Sequence, residues 1–331
     1  MLVEKKVRMA DIAQKLGISI VSVSKGLAGK DGVSAEMREK ILLTAAEMGY
    51  IPQQSPKKEK PASGNIGILV ADRFVADNAF YPALYRQVMV SSAEHGYSAI
   101  MEIVSPEAED NGTVPAMIQG KKVDGIIFMG ELKRSYLKAV MQFGLPYILL
   151  DFYDEALYAD SVTSDNITGG VRVTNELLEK GCREIGFVGS ILSTSSIMDR
   201  YLGYCKALLR AGIAIRDEWR IEDRDADGKF IPLVLPDNLP RAFVCNCDEI
   251  AYNLVEQLKH RGLRVPEDVA VTGYDDYQFA QICDPPLTTY HVNVEDMGRM
   301  AATRLLQKIK GEPFTGGNTV ACGRLVKRKS V

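Results

Sequence analysis

VRMADIAQKLGISIVSVSKGLAGKDGVSAEMREKILLTAAEMGYIP, residues 7–52, holds three helix-length segments and the punctuation between them. Met9, Ile12, Ala13 and Leu16 recur at helical spacing and make one apolar stripe. Gly17 follows, a residue able to take the positive φ that ends a helix. Ser19 then fits an N-cap for a second helix, Ile20 to Leu27. Ala13 is small where two helices must approach closely. Val23, ten residues later, offers the second helix an inward apolar side chain. This spacing describes two helices joined by a tight turn. Gly29-Lys30-Asp31-Gly32 reads as a loop. Ser34 caps a third helix, with Glu36 in the first turn, where the helix dipole favours an acid. Met37, Ile41, Ala45 and Met48 line its inner face, and Gly49 stops it.

Three short helices in this order make a helix-turn-helix head that lays its second helix in the major groove of DNA. Ile20, Val21 and Ser22 form the exposed first turn of that helix, with Ser19, Ser24 and Lys25 beside them. Ile20 and Val21 suit thymine methyl groups and cannot hydrogen-bond a base, whereas Lys25 reaches a guanine edge or a phosphate. Charge agrees with this reading. Residues 1–60 carry eleven Lys/Arg against seven Asp/Glu, net +4, on a chain whose total is −3. A basic head on an acidic body fits a polyanion partner. Gly26 is costly inside a helix, by about 1 kcal/mol relative to Ala, so the reading helix is expected to be loosely held.

The next stretch, QQSPKKEKPASGN (53–65), is a linker. Pro56 and Pro61 interrupt any helix there. Lys57, Lys58 and Lys60 remain as candidate phosphate contacts. From Ile66 the pattern becomes strand and helix in alternation. IGILVAD, YSAIMEIV, VDGIIFMG and PYILLDF form one series of strands. SVTSD, EIGFVGS, AFVCNCD and VAVTGYD form a second. Apolar strands separated by helices indicate parallel sheets covered on both faces, here two doubly wound α/β lobes. The expected division is a head at 1–52, a linker at 53–65 and a two-lobed body at 66–331. Ligands in such folds bind beyond the carboxyl ends of the strands. Asp72, Asp151, Asp248 and Asp275-Asp276 end strands, Asp165-Asn166 start a helix, Arg200 lies in SSIMDRYLGY, and Phe80-Tyr81 open the first helix region. Carboxylates accept paired hydroxyl hydrogen bonds and arginine supplies a rigid donor fork, which suits a polyhydroxylated ligand. Asp248 reads instead as a helix cap, because Glu249 begins a helix.

Other classes find little support. GxxxxGK[ST], GxSxG and HExxH are all missing, so no catalytic residue is assigned. The six cysteines form no CxxC pair and the three histidines are isolated, so no metal or cofactor is expected. No stretch has the apolar length of a membrane span, and Met1 to Ala10 lacks the apolar segment of a signal peptide. These features lead us to expect a cytoplasmic protein with no membrane partner.

The segments ADIAQKLGIS, SVSKGL, VSAEMREKIL and EMGYIP resemble the head of the lactose-repressor (LacI/GalR) family of bacterial regulators, and the likeness continues through the body. The resemblance implies a periplasmic-binding-protein-like body whose chain crosses between lobes three times. The crossings are expected near 153–161, 285–292 and 321–325. Lobe 1 then takes about 66–155 with 292–320, and lobe 2 about 161–286 with 323–331. It implies wall residues at Phe80 and Tyr81, and effector contacts at Asp151, Arg200 and Asp275. Cys247 stands where the family often has an effector-binding Asn, and Arg224 where a stacking aromatic is common. Both replacements tell against a simple monosaccharide. The family's hinge helix, with its minor-groove leucine, has no counterpart in the linker, so less intercalation is expected. The implied function is sequence-specific DNA binding, repression by family default, as a homodimer on a palindromic operator, under control of a small molecule, most readily a carbohydrate. Alternatives are control by a protein partner and a solute-binding protein.

Overall fold

The computed structural model describes residues 7, 9–27, 32–48, 63–75, 80–313 and 315–331. Lys57, Lys58 and most of the linker, together with the loop at 28–31, lie outside them. The chain divides into two units, Met1–Pro61 and Ala62–Val331.

In the first unit, α1 (Met9–Leu16), α2 (Ile20–Leu27) and α3 (Ala35–Glu47) fall where the stripes and caps put them. Ile12, Ala13, Val23, Ile41 and Ala45 form the core, flanked by Met9, Leu16, Met37 and Met48. Gly17 has φ +67°, and Ser19 Oγ accepts from the Ser22 N–H at 3.0 Å. Ser34 Oγ accepts from the Met37 N–H at 3.3 Å.

Gly26 differs from the expectation. It is buried against α3, and a Cβ there would lie 2.6 Å from Ile41 Cδ1. The glycine therefore makes room for an isoleucine of the core. Gly26→Ala is expected to lose more from overpacking, typically about 1–3 kcal/mol, than it gains in helix preference. Adding Ile41→Val, which removes Cδ1, should restore part of the loss. Hydrogen exchange of the α2 amides reads both effects. Slower exchange in Gly26→Ala alone would mean the helix is loose after all.

The second unit begins with β1 (Asn65–Ala71), α4 (Phe80–Glu94), β2 (Ser98–Val104), α5 (Pro106–Asn111), α6 (Ala116–Gln119) and β3 (Gly125–Met129). It continues through α7 (Arg134–Met141), β4 (Tyr147–Leu150), β5 (Ser161–Ser164), α8 (Asn166–Glu179), β6 (Ile185–Val188) and α9 (Ser195–Arg210). Then follow β7 (Arg220–Ile221), β8 (Ala242–Cys245), α10 (Asp248–His260), β9 (Ala270–Asp275), α11 (Gln278–Ile282) and β10 (Thr288–His291). It closes with α12 (Val294–Lys310), β11 (Asn318–Ala321) and β12 (Arg324–Val326). One sheet has the order β11-β5-β4-β3-β1-β2 and the other β12-β10-β9-β8-β6-β7. The inner strands are short and wholly buried, as in β3 and β8, because helices cover both faces.

Three expectations need correction. The sequence pattern assigns SVTSD to the second series, yet β5 pairs in parallel with β4 and β11 in the first sheet. A four-residue buried strand carries no periodicity that names its partners. The first crossing accordingly lies after Ser164 rather than at 153–161, and lobe 1 extends to Ser164. The second crossing follows β10, between His291 and Val294, beyond most of the expected 285–292. The third, Ala321 to Arg324, falls within its expected span. Finally, β12 runs antiparallel to β10, so the second sheet is parallel except at that edge.

Candidate effector cleft and DNA-reading helix

Both sheets end their strands at the same cleft. Asp151 follows β4, and Cys247 follows β8 by two residues. Asp275 closes β9. Asp151 has φ +69° and Asp275 φ +105°, a backbone region that side chains other than glycine avoid. Such conformations persist where surrounding structure enforces them, and they concentrate at functional sites.

Arg200 is set by helix packing. It lies on α9, which crosses α8 so closely that a Cβ on Gly170 would sit 2.4 Å from the Arg200 carbonyl oxygen. A Cβ on Gly203 would sit 2.3 Å from the Ile167 carbonyl oxygen. Two glycines thus seat the helix that carries the arginine. Arg200 is 6% exposed. Its Nε donates to Asn166 Oδ1 at 2.9 Å and its Nη1 to the Asn246 carbonyl at 2.6 Å. Its guanidinium lies 3.9 Å from the centre of the Tyr274 ring, and Nη1 is 3.6 Å from Asp275 Oδ1.

On the first lobe, Tyr81 OH donates to Asp151 Oδ2 at 3.0 Å, and Oδ1 is buried with no partner among the described residues. Burial pushes the Asp151 carboxyl up to about 6, partly offset by Arg200. Burial pushes Asp275 up to about 7, again against the pull of Arg200. Burial and the Asp151 charge raise the Tyr81 phenol well above its ordinary value, so it remains a donor. Phe80 meets Tyr277 edge-on at 5.9 Å between ring centres. Cys247 is a neutral thiol, pushed up to about 12 by burial. Arg224 lies 4.5 Å over the Phe230 ring, with Nη1 2.5 Å from Asp223 Oδ2 and 3.2 Å from Asn246 Oδ1.

Phe80, Tyr81, Asp151, Arg200, Arg224, Cys247 and Asp275, all seven of the residues expected from the sequence, line one inner cavity of about 80 Å³. That cavity shares Arg73, Arg224, Gly228 and Phe230 with an outer cleft of about 1310 Å³. Arg73, Asn246, Gly228 and Phe230 were not anticipated. Gly228 and Phe230 sit on an irregular hairpin, bridged between Arg224 and Phe230, that has no periodic signal. Asp248 does not cap α10. Its carboxylate accepts from the Tyr277 N–H at 2.9 Å and from Thr289 Oγ1 at 2.6 Å, tying α10 to the start of α11 and to β10.

On the head, Ile20 and Val21 are 53% and 64% exposed, and Ser24 and Lys25 are also exposed. Lys25 Nζ reaches over Gly32, which has φ +99°. Ser22 is half-buried and bonds to Ser19 Oγ at 2.9 Å, so both hydroxyls serve the cap. Among the described residues, no cluster of potential metal ligands occurs, and no helix is long and apolar enough to cross a membrane.

Residues 8–53 match the family described as bacterial regulatory proteins, lacI family, and residues 174–331 match a periplasmic binding protein-like domain. The ribose operon repressor of Haemophilus influenzae is 30% identical over 307 residues, 91% of this chain and 92% of that protein. The HTH-type transcriptional repressor CytR of Escherichia coli is 29% identical, over 99% of this chain and 97% of its own length. The lac repressor bound to ONPG superposes with a TM-score of 0.68 at 25% identity, covering 99% of this chain and 100% of that one. A complex of the regulator CelR with cellobiose has the same fold, with a TM-score of 0.71 at 24% identity, covering 98% of this chain and 100% of that one. With its helix-turn-helix and its two-lobed body both matched, the chain belongs to the lacI family of bacterial regulatory proteins.

Proposed function

We propose that this regulator represses transcription as a cytoplasmic homodimer on a palindromic operator, and that a polyhydroxylated small molecule between its lobes sets its affinity for DNA. A carbohydrate is the first class to test. One observation carries the reading: among the described residues the buried Asp151 Oδ1 has no partner, in a cavity that also holds Asp275 and the guanidinium of Arg200. A buried acceptor without a donor is costly, and a ligand hydroxyl would supply the donor. One small head makes few phosphate contacts, so two heads on a two-fold axis are needed for useful affinity. The DNA-contact surface proposed on the head is Ser19 to Ser22 with Ser24 and Lys25, extended by Lys57 and Lys58.

Coupling between the two sites must be reciprocal. Titrating a series of pentoses, hexoses and disaccharides into free and operator-bound protein is expected to give two different affinities for the effector. Equal affinities for every binder would remove the mechanism.

The head makes its own prediction. Lys25→Ala is expected to weaken operator binding and, if the contact is to phosphate, to reduce the slope of log affinity against log salt by about 1. Exchanging Ile20 and Val21 for polar residues should change which operator is preferred, because both lie exposed on the first turn. Binding-site selection from random DNA measures it. An unchanged preferred sequence would place base reading elsewhere.

A further inference from the structure

Two hydrogen bonds join the lobes at the rim of the cleft, and the chain's own residues make both. Glu131, two residues beyond β3, accepts from the backbone N–H of Ser195, the first residue of α9, at 2.7 Å. Tyr153, in the segment after β4, donates from its hydroxyl to Asp199 Oδ1 at 3.0 Å. The acceptor in the first bond and the donor in the second come from lobe 1, and both partners lie on α9 of lobe 2. None of the four lines the inner cavity, but Tyr153 stands two residues from Asp151, and Asp199 is next to Arg200.

The Ser195 N–H is one of the first-turn amides that a helix cannot satisfy internally. Thr194 Oγ1 caps Ile197 instead, so Glu131 meets a helix end that favours a negative charge. Arg73 steadies this arrangement by donating to the Glu131 carbonyl at 2.6 Å, while Glu109 holds the same guanidinium at 2.7 Å. With the lobes joined in this way, the inner cavity of about 80 Å³ is well below the ~300 Å³ at which small-molecule pockets begin. The outer cleft of about 1310 Å³, which Glu131 and Tyr153 line, has room for a sugar-sized ring, but such a ring reaches the inner cavity only if that cavity widens.

We propose that Glu131 and Tyr153 are positioning residues of an interlobe latch, which holds the body closed by its own hydrogen bonds and against which effector entry must work. The proposal rests on the effector reading for the meaning of the cavity, but the latch itself is testable without effector or DNA.

Hydrogen exchange of the full chain, followed at the Ser195 amide, reads the latch directly. Glu131→Ala removes the acceptor and should speed that exchange, and Glu131→Gln, which keeps a carbonyl acceptor, should give an intermediate rate. The deciding variant is Tyr153→Phe, which does not touch the Ser195 amide. If the two bonds open as a unit, it should speed Ser195 exchange about fivefold, the factor expected for one hydrogen bond of ordinary net strength. Unchanged Ser195 exchange in Tyr153→Phe would overturn the proposal, because Glu131 would then be a local helix cap only. Exchange at the β3 amides guards against general loosening. It should stay at its native rate in Tyr153→Phe, and a parallel rise there would also overturn the latch. A failed effector titration would sink the proposed function and leave this result standing.

Discussion

Arg200→Ala is expected to destabilise the body by about 3–5 kcal/mol and to abolish any response to effector. The guanidinium is buried, donates to Asn166 and Asn246, stacks on Tyr274 and faces Asp275. Truncation leaves a buried carboxyl without its countercharge and two acceptors without donors, and each unmade bond carries the full desolvation penalty. Arg200→Met with Asp275→Asn removes both charges and keeps most of the volume. That double variant should recover much of the stability, since replacing a buried ion pair by groups of similar size is often close to neutral. It should not recover effector binding. Urea denaturation separates the two effects. A loss under about 1 kcal/mol in Arg200→Ala would mean the site is solvated and the pairing weak.

The second large effect is a pH dependence. Burial raises Asp275 to about 7 and Asp151 to about 6, whereas unfolded aspartates release their protons near ~3.9. Between those values the folded chain holds protons that the unfolded chain has lost. The contribution of these two carboxyls to stability is therefore greatest below about pH 4, falls as the pH rises towards 7 and levels off above that. Each pH unit in that window is worth about 1.4 kcal/mol for each carboxyl that differs. Other groups titrate too, so the measurement is the difference between wild type and Asp275→Asn, which fixes a neutral side chain. The variant should gain on wild type steadily from pH 5 to 7. Effector affinity should move the other way, rising through pH 6 to 7 as the carboxylates become the better acceptors of hydroxyl hydrogen bonds. Flat affinity in calorimetry from pH 5 to 8 would show that the ligand does not rely on these acids.

The head was legible because its determinants are local. Ser19 and Ser34 accept from amides three residues on, and Gly17 takes its positive φ within one turn. The reason for glycine at position 26 is not local: it packs against Ile41, fifteen residues away on another helix. The seven cleft residues were located by strand ends and by family resemblance, and the fold does bring them together. Lobe membership was misjudged at Ser161–Ser164, because short buried strands look alike until they are paired.

What the sequence determined by itself was therefore the helix-turn-helix, the alternation of strand and helix, and the residue types at the strand ends. Spacing and capping chemistry are written within a few residues of one another. Long-range packing alone settled which strands share a sheet and why position 26 is glycine. It also decided how Arg200 is seated by Gly170 and Gly203, and that Glu131 and Tyr153 reach α9 across the cleft. Each depends on distance between segments far apart in the chain, and no local pattern of residues encodes that distance.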